Sequence, residues 1–111
     1  MKLKLIGLNP PEENRKVVLR KLPAVLGRSS EAEVTVEDRW VSRRHCEITE
    51  IDGLLVVRDL GSKHGTFVNG QRVDQARLLP EDTITVGLTS FAASYRGGVR
   101  ANQPASVLGN R

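Results

Sequence analysis

Cysteine is nearly absent from this chain of 111 residues, with Cys46 standing alone. A single thiol excludes an intrachain disulfide and a cysteine-based zinc cluster, and it suits a reducing cytosol. His45, His64 and Cys46 are too few and too scattered for a metal site, and no cofactor motif is present. No charged-then-apolar leader opens the chain, and no apolar run approaches the roughly 18 residues that span a bilayer. The sequence therefore supports neither secretion nor membrane association, and the expected setting is cytoplasmic. Helical periodicity is missing as well, since no segment of ten or more residues repeats its apolar positions every 3.6. Strong charge imbalance is also lacking: 17 Lys and Arg face 13 Asp and Glu, for a net charge of +4. That excess favours anionic partners without pointing to nucleic acid.

What remains is a pattern of short strands. Leu3 and Leu5 alternate with Lys2 and Lys4, Val34 and Val36 with Glu33 and Thr35, Cys46 and Ile48 with Glu47 and Thr49, and Ile84 and Val86 with Thr83 and Thr85. Each run offers one apolar face to a core. Val17 to Leu19 and Leu54 to Val57 are uniformly apolar, which fits central strands buried on both sides and leaves their register open. Asp52-Gly53 and Asn69-Gly70 suit type I′ turns and predict two antiparallel pairs. Pro10-Pro11, Pro23 and Pro80 fall between runs or at their starts, where a missing N–H costs least. The expected fold is all-β, a sandwich or barrel of one domain. From about Gly97 strand formers give way to breakers, so the domain is placed at residues 1–96 and a flexible tail at 97–111.

Three segments carry residues suited to a phosphate. Gly27-Arg28 ends a strand-like run, Ser42-Arg43-Arg44-His45 enters another, and Asp-Leu-Gly-Ser-Lys-His-Gly-Thr-Phe-Val-Asn-Gly occupies residues 59–70. A phosphoester carries about −1.5 to −2 charges and three acceptor oxygens, so it needs an Arg fork, hydroxyls and backbone amides. Ser42 and His45 do not read as a nucleophile and its base. Strand periodicity would send them to opposite faces unless the loop bends, and no Asp or Glu is patterned to orient the imidazole. Ser42 as a phosphate donor and His45 as a loop-fixing hydrogen-bonder ask less of the geometry. Residues 61–66 are Gly-rich but lack the Walker spacing and a following helix, so they are no nucleotide loop.

In this order and spacing, Gly-Arg, Ser-x-x-His and Gly-Ser-x-x-Gly-Thr-x-x-Asn-Gly on an all-β background resemble the forkhead-associated (FHA) domain, over roughly residues 3–95. The resemblance implies a β-sandwich of two sheets and about eleven strands, with loops at one end that grip phosphothreonine peptides. By that resemblance Arg28 and Ser42 bind the phosphate, Arg43 adds a contact or a positive field, and Lys63 lies beside the phosphate and the threonine side chain. Gly27, His45, Gly65, Thr66 and Asn69 fall at positions that build and brace loops. One residue departs from the family pattern: His64 stands where an Asn usually pairs with the ligand backbone just after the phosphothreonine. An imidazole has its donor and acceptor on opposite sides of a ring and cannot reproduce both amide bonds.

The implied function is non-catalytic recognition of a phosphothreonine-bearing protein, such as a Ser/Thr kinase or its substrate, by a monomer. The alternative is a scaffold that binds without regard to phosphate. A third reading, nucleic-acid binding through Arg39, Arg43, Arg44 and Lys63, predicts a steep salt dependence. Trp40, the only tryptophan, either packs under its loop or anchors ligand residues beyond the phosphate. The tail offers Ser106 but no threonine, so self-capture through a tail phosphothreonine is not expected and the partner is another chain.

Overall fold

A computed structural model describes residues 2–96 of the chain; the tail expected at 97–111 lies outside the described residues. Eleven strands follow one another: β1 (Leu3–Gly7), β2 (Lys16–Leu19), β3 (Ala24–Gly27), β4 (Val34–Thr35), β5 (Cys46–Ile51), β6 (Leu54–Asp59), β7 (Thr66–Val68), β8 (Gln71–Val73), β9 (Gln75–Arg77), β10 (Thr83–Val86) and β11 (Thr89–Ser94). They form a six-stranded sheet in the order β2-β1-β11-β10-β7-β8 and a five-stranded sheet in the order β4-β3-β5-β6-β9. All pairings are antiparallel except β3 with β4. Among the described residues there is no helix, hence none long and apolar enough to cross a membrane.

Period-2 alternation builds the core. Leu3 and Leu5 of β1, Cys46 and Ile48 of β5, Ile84 and Val86 of β10, and Phe91 and Ala93 of β11 all point between the sheets and are fully or almost fully buried. Their strand neighbours face outward, as a pleated backbone requires. Asp52-Gly53 joins β5 to β6 and Asn69-Gly70 joins β7 to β8, with positive φ at both residues of each pair. The primed turn geometry follows from that.

The two uniformly apolar runs part company. β6 is an interior strand, paired with β5 on one side and β9 on the other, and Leu55, Val56 and Val57 are buried. β2, by contrast, is an edge strand with Val18 exposed. Central placement was the wrong expectation for Val17–Leu19, because an uninterrupted apolar run records side-chain type and not the number of neighbouring strands.

The register also fixes one end of the sandwich. Gly7 ends β1, Gly27 ends β3, Cys46 starts β5, Asp59 ends β6, Thr66 starts β7 and Val86 ends β10; pairings such as Cys46 with Asp59 and Val86 with Thr66 gather these termini at a common rim. The loops after β1, β3, β4, β6 and β10 therefore all open there.

Candidate functional site

The rim is drawn together by backbone bonds between loops. Arg28 N–H donates to Ser42 O at 2.9 Å, Ser29 N–H to Arg43 O at 3.2 Å, His45 N–H to Leu26 O at 2.9 Å and Leu60 N–H to His45 O at 2.9 Å. Such close approach requires Gly27, since a Cβ there would fall 2.0 Å from the Arg43 carbonyl oxygen. The loops carrying Arg28, Ser42 and Lys63, separated by up to 35 positions in sequence (63 − 28), thus meet at one place.

Arg28 is exposed, but its Nε donates to Val41 O at 2.9 Å. That single bond fixes the guanidinium plane and leaves both terminal nitrogens without a protein acceptor among the described residues. The Ser42 hydroxyl accepts the Lys63 backbone N–H at 3.1 Å, which leaves its own proton to be donated outward. Lys63, Arg43 and Arg44 are exposed, and none forms an ion pair among the described residues. The result is a cationic, donor-rich rim whose Lys63, Arg43 and Arg44 have no acidic ion-pair partner among the described residues.

His45 sits directly beneath this group, fully buried. Its Nδ1 accepts the Ser42 N–H at 3.0 Å, so the ring proton is on Nε2, which donates to Gly65 O at 2.7 Å. One neutral imidazole therefore ties the loop after β4 to the loop after β6. The loop does bend, bringing residues 42 and 45 together, yet the contact runs through the serine backbone and leaves the hydroxyl unactivated. Gly65, at φ 93°, is covered by the Arg72 side chain, whose Nε would lie 2.7 Å from a Cβ at that position.

Asp59 organises the β6–β7 loop. Its Oδ2 accepts the amides of Gly61 and Ser62 at 2.9 and 3.0 Å, and its Oδ1 accepts the hydroxyls of Ser62 at 2.6 Å and Thr66 at 2.7 Å. The Ser62 Oγ in turn accepts Gly65 N–H at 2.9 Å. Burial opposes the charge of Asp59, but the hydroxyls of Ser62 and Thr66 and the two amides outweigh it and hold the carboxyl below its ordinary value. Asp38 does the same for the loop before Ser42. Its oxygens accept Trp40 N–H, Leu88 N–H and the Thr89 hydroxyl, each at 2.8 Å. Here too burial is outweighed by these bonds, and the pKa is lowered.

Sequence reasoning did not single out Asp38, Asp59 or Ser62. For Asp59 the available signal was an Asp two or three residues ahead of Gly61 and Ser62, the pattern of a side chain that closes a turn on its own backbone. Asn69 stands apart from the rim. It lies at the opposite end, where its amide donates to Asp82 at 3.0 Å and accepts Thr83 N–H at 2.9 Å, bracing the loop into β10. Trp40 does not pack beneath its loop. It is 43% exposed and meets the His64 ring edge-on, with centroids 5.2 Å apart and planes at 78°. The Arg39 guanidinium carbon lies 5.4 Å from the centre of the same indole. Among the described residues no cluster of three His, Cys, Asp or Glu is placed to hold a metal.

The family model described as the FHA domain matches residues 24–87. The chain is 37% identical over 86 residues to an ABC transporter ATP-binding/permease protein of Mycobacterium tuberculosis, covering 78% of this chain and 10% of that protein. It is 32% identical over 97 residues to the oxoglutarate dehydrogenase inhibitor of Corynebacterium diphtheriae, covering 87% of this chain and 66% of that protein. Among solved structures, an FHA domain studied for its phosphothreonine-dependent interactions superposes with a TM-score of 0.78 at 28% identity, over 86% of this chain and 98% of that one. The chain thus spans a tenth of one of these curated relatives and just under two thirds of the other.

Proposed function

The chain belongs to the FHA domain family, and from that premise we propose that it is a phosphothreonine-dependent recognition module whose ligand seats on the Arg28–Ser42–Lys63 rim. The observation that carries this reading is the convergence of the three loops: an oriented guanidinium, a hydroxyl with a free proton and a lysine without an ion pair among the described residues meet at one rim, whose loops are tied by the buried His45. Arg28 supplies two parallel N–H donors to the phosphate, Ser42 a third, and Lys63 and Arg43 the surrounding positive potential. Gly27, His45, Gly65 and Thr66 keep these donors in register, and His64 and Trp40 flank the path of the peptide. The site binds and performs no chemistry.

Charge-assisted hydrogen bonds contribute about 1.5–3 kcal/mol each, and a micromolar complex needs about 8 kcal/mol in all. Two or three bonds to phosphate plus peptide contacts reach that figure. The partner is another protein, such as a Ser/Thr kinase or its substrate, met in the cytoplasm by a monomeric domain. Titration with a phosphothreonine peptide tests the reading: Arg28→Ala weakens binding at least tenfold, and the unphosphorylated peptide binds negligibly. Equal affinity for the two peptides would sink it in favour of phosphate-independent scaffolding.

A further inference from the structure

Strands β2, β1 and β11, paired in that order, form one side of the six-stranded sheet. Period 2 turns Lys16 and Val18 of β2, Lys4 and Ile6 of β1, and Ala92 and Ser94 of β11 away from the core. The register sets Val18 and Ser94 on either side of Lys4. Continued past the strand ends, the same register sets Arg20 and Arg96 on either side of Lys2. Arg20, Lys2 and Arg96 are exposed and Lys4 is half-buried. None of the four has an ion pair or a side-chain hydrogen bond among the described residues. Glu81, on the turn before β10, reaches this end through its N–H, which donates to Ala93 O at 2.7 Å, but its carboxylate makes no ion pair there. Lys2, Lys4, Ser94, Tyr95 and Arg96 line a cleft of about 500 Å³, a volume within the range of about 300–1,000 Å³ typical of small-ligand sites. Tyr95 packs against the core and donates its hydroxyl to Leu78 O, which fixes one wall.

We propose that this corner is a second anion site, separate from the rim, that takes a compact polyanion bearing two or more phosphate groups. Like charges on opposed antiparallel positions destabilise a sheet. Neighbouring strands lie about 4.8 Å apart, half the Debye length of about 10 Å at 0.1 M salt, so dissolved ions screen the repulsion only in part. A ligand with several negative charges relieves it, and Ser94 adds a hydroxyl donor beside the cations. A long polyanion fits less well, because the cations do not continue as a track: the next outward row is Lys16, Ile6 and Ala92, with one charge in three. The corner is also remote from the phosphothreonine rim. Lys2 stands five positions before Gly7, the rim end of β1, or about 17 Å at roughly 3.4 Å per residue. That exceeds the Debye length, so the two sites act independently.

The test is a titration of the whole 111-residue chain with sodium tripolyphosphate at a constant ionic strength of about 0.15 M, read by backbone amide NMR shifts and by melting temperature. Because the rim also attracts phosphate, wild type is compared with Arg28→Ala and with Lys2→Gln/Lys4→Gln. Tripolyphosphate saturates a site whose shifts centre on residues 2–5 and 93–96, and it raises the melting temperature. It binds there about tenfold or more tightly than orthophosphate, and as tightly in Arg28→Ala as in wild type. Lys2→Gln/Lys4→Gln weakens that binding about tenfold, roughly threefold for each exposed charge. Without ligand the same double variant melts higher than wild type, since repulsion is relieved. Shifts confined to the rim, binding lost at constant ionic strength, affinity unmoved by Lys2→Gln/Lys4→Gln, or a lower melting temperature for that variant overturns the site. So does tighter binding of an Asp- and Glu-rich peptide or of duplex DNA at the same corner, which assigns the face to a macromolecule.

Discussion

Gly27 has room for a hydrogen and nothing more, because the Arg43 carbonyl oxygen sits 2.0 Å from where a Cβ would go. Space, not backbone torsion, is the constraint, and the crowding atom is main chain that cannot swing aside. Gly27→Ala must push the loop after β4 away from the loop after β3, separating Arg28 from Ser42. The expected outcome is a loss of about 1–3 kcal/mol in unfolding free energy together with weakened phosphopeptide binding, read by denaturant titration and calorimetry. His64 poses the opposite case, a position with space and the wrong chemistry. An amide there could both donate to and accept from one peptide group of the ligand, which the ring cannot. His64→Asn is therefore expected to raise phosphopeptide affinity by about two- to tenfold, the worth of one neutral hydrogen bond. Lower affinity in the same titration would show that the edge-on contact with Trp40 serves binding better than the amide does.

The β6–β7 connection shows how an element acquires its shape from a single carboxylate. Four donors converge on Asp59, and its folded pKa lies below the ordinary value. The unfolded state therefore binds more protons than the folded one between the two pKa values. The contribution of Asp59 to stability is fully present above the unfolded value of about 3.9 and is lost as pH falls through the lower folded value. Asp59→Asn should cost about 1–3 kcal/mol at neutral pH and flatten the fall in stability between pH ~5 and pH ~2, measured by chemical denaturation across that range. An unaltered acid limb would assign the pH dependence to other groups, Asp38 foremost. Asp59 was legible only in part: its bonds from Gly61 and Ser62 are a local turn pattern, whereas the Thr66 hydroxyl joins them only once β7 has folded back. Strands such as β1, β5 and β10 were legible because burial of alternate side chains is a local property. Both hairpin turns were legible too, because positive φ selects Asn, Asp and Gly locally. The edge position of β2 was not, since it depends on which strands pair elsewhere, and neither was the turn of loop 42–45 that sets the Ser42 amide against His45. Arg28, Ser42 and Lys63, which the structure brings to one rim, were named from motif, whereas the carboxylates that hold their loops belong to no motif quoted for the site.

At the scale of the whole molecule, the two sheets close on a core in which Cys46 is completely buried, directly next in sequence to the His45 that ties the rim loops. Burial pushes its thiol up to about 12, so in the folded state it is neither accessible nor ionised at neutral pH. Cys46 belongs to β5, the strand paired with both β3 and β6, and exposing it means opening the interior of the five-stranded sheet. Labelling by a thiol reagent is therefore expected only through unfolding, at a rate set by the population of the open state when closing is fast. Ligand seated on the rim must shift that population by mass action. A phosphothreonine peptide at a hundred times its Kd should slow labelling about a hundredfold, the equivalent of about 2.7 kcal/mol of added stability. Arg28→Ala, with binding at least tenfold weaker, should cut the protection about tenfold or more at the same peptide concentration while changing the unliganded rate little, because an exposed arginine carries small weight in the fold. Rapid labelling of the free protein without denaturant dependence would mean that β5 opens locally. Slowing by the unphosphorylated peptide to the same extent would mean that the rim is coupled to the core through some ligand feature other than phosphate.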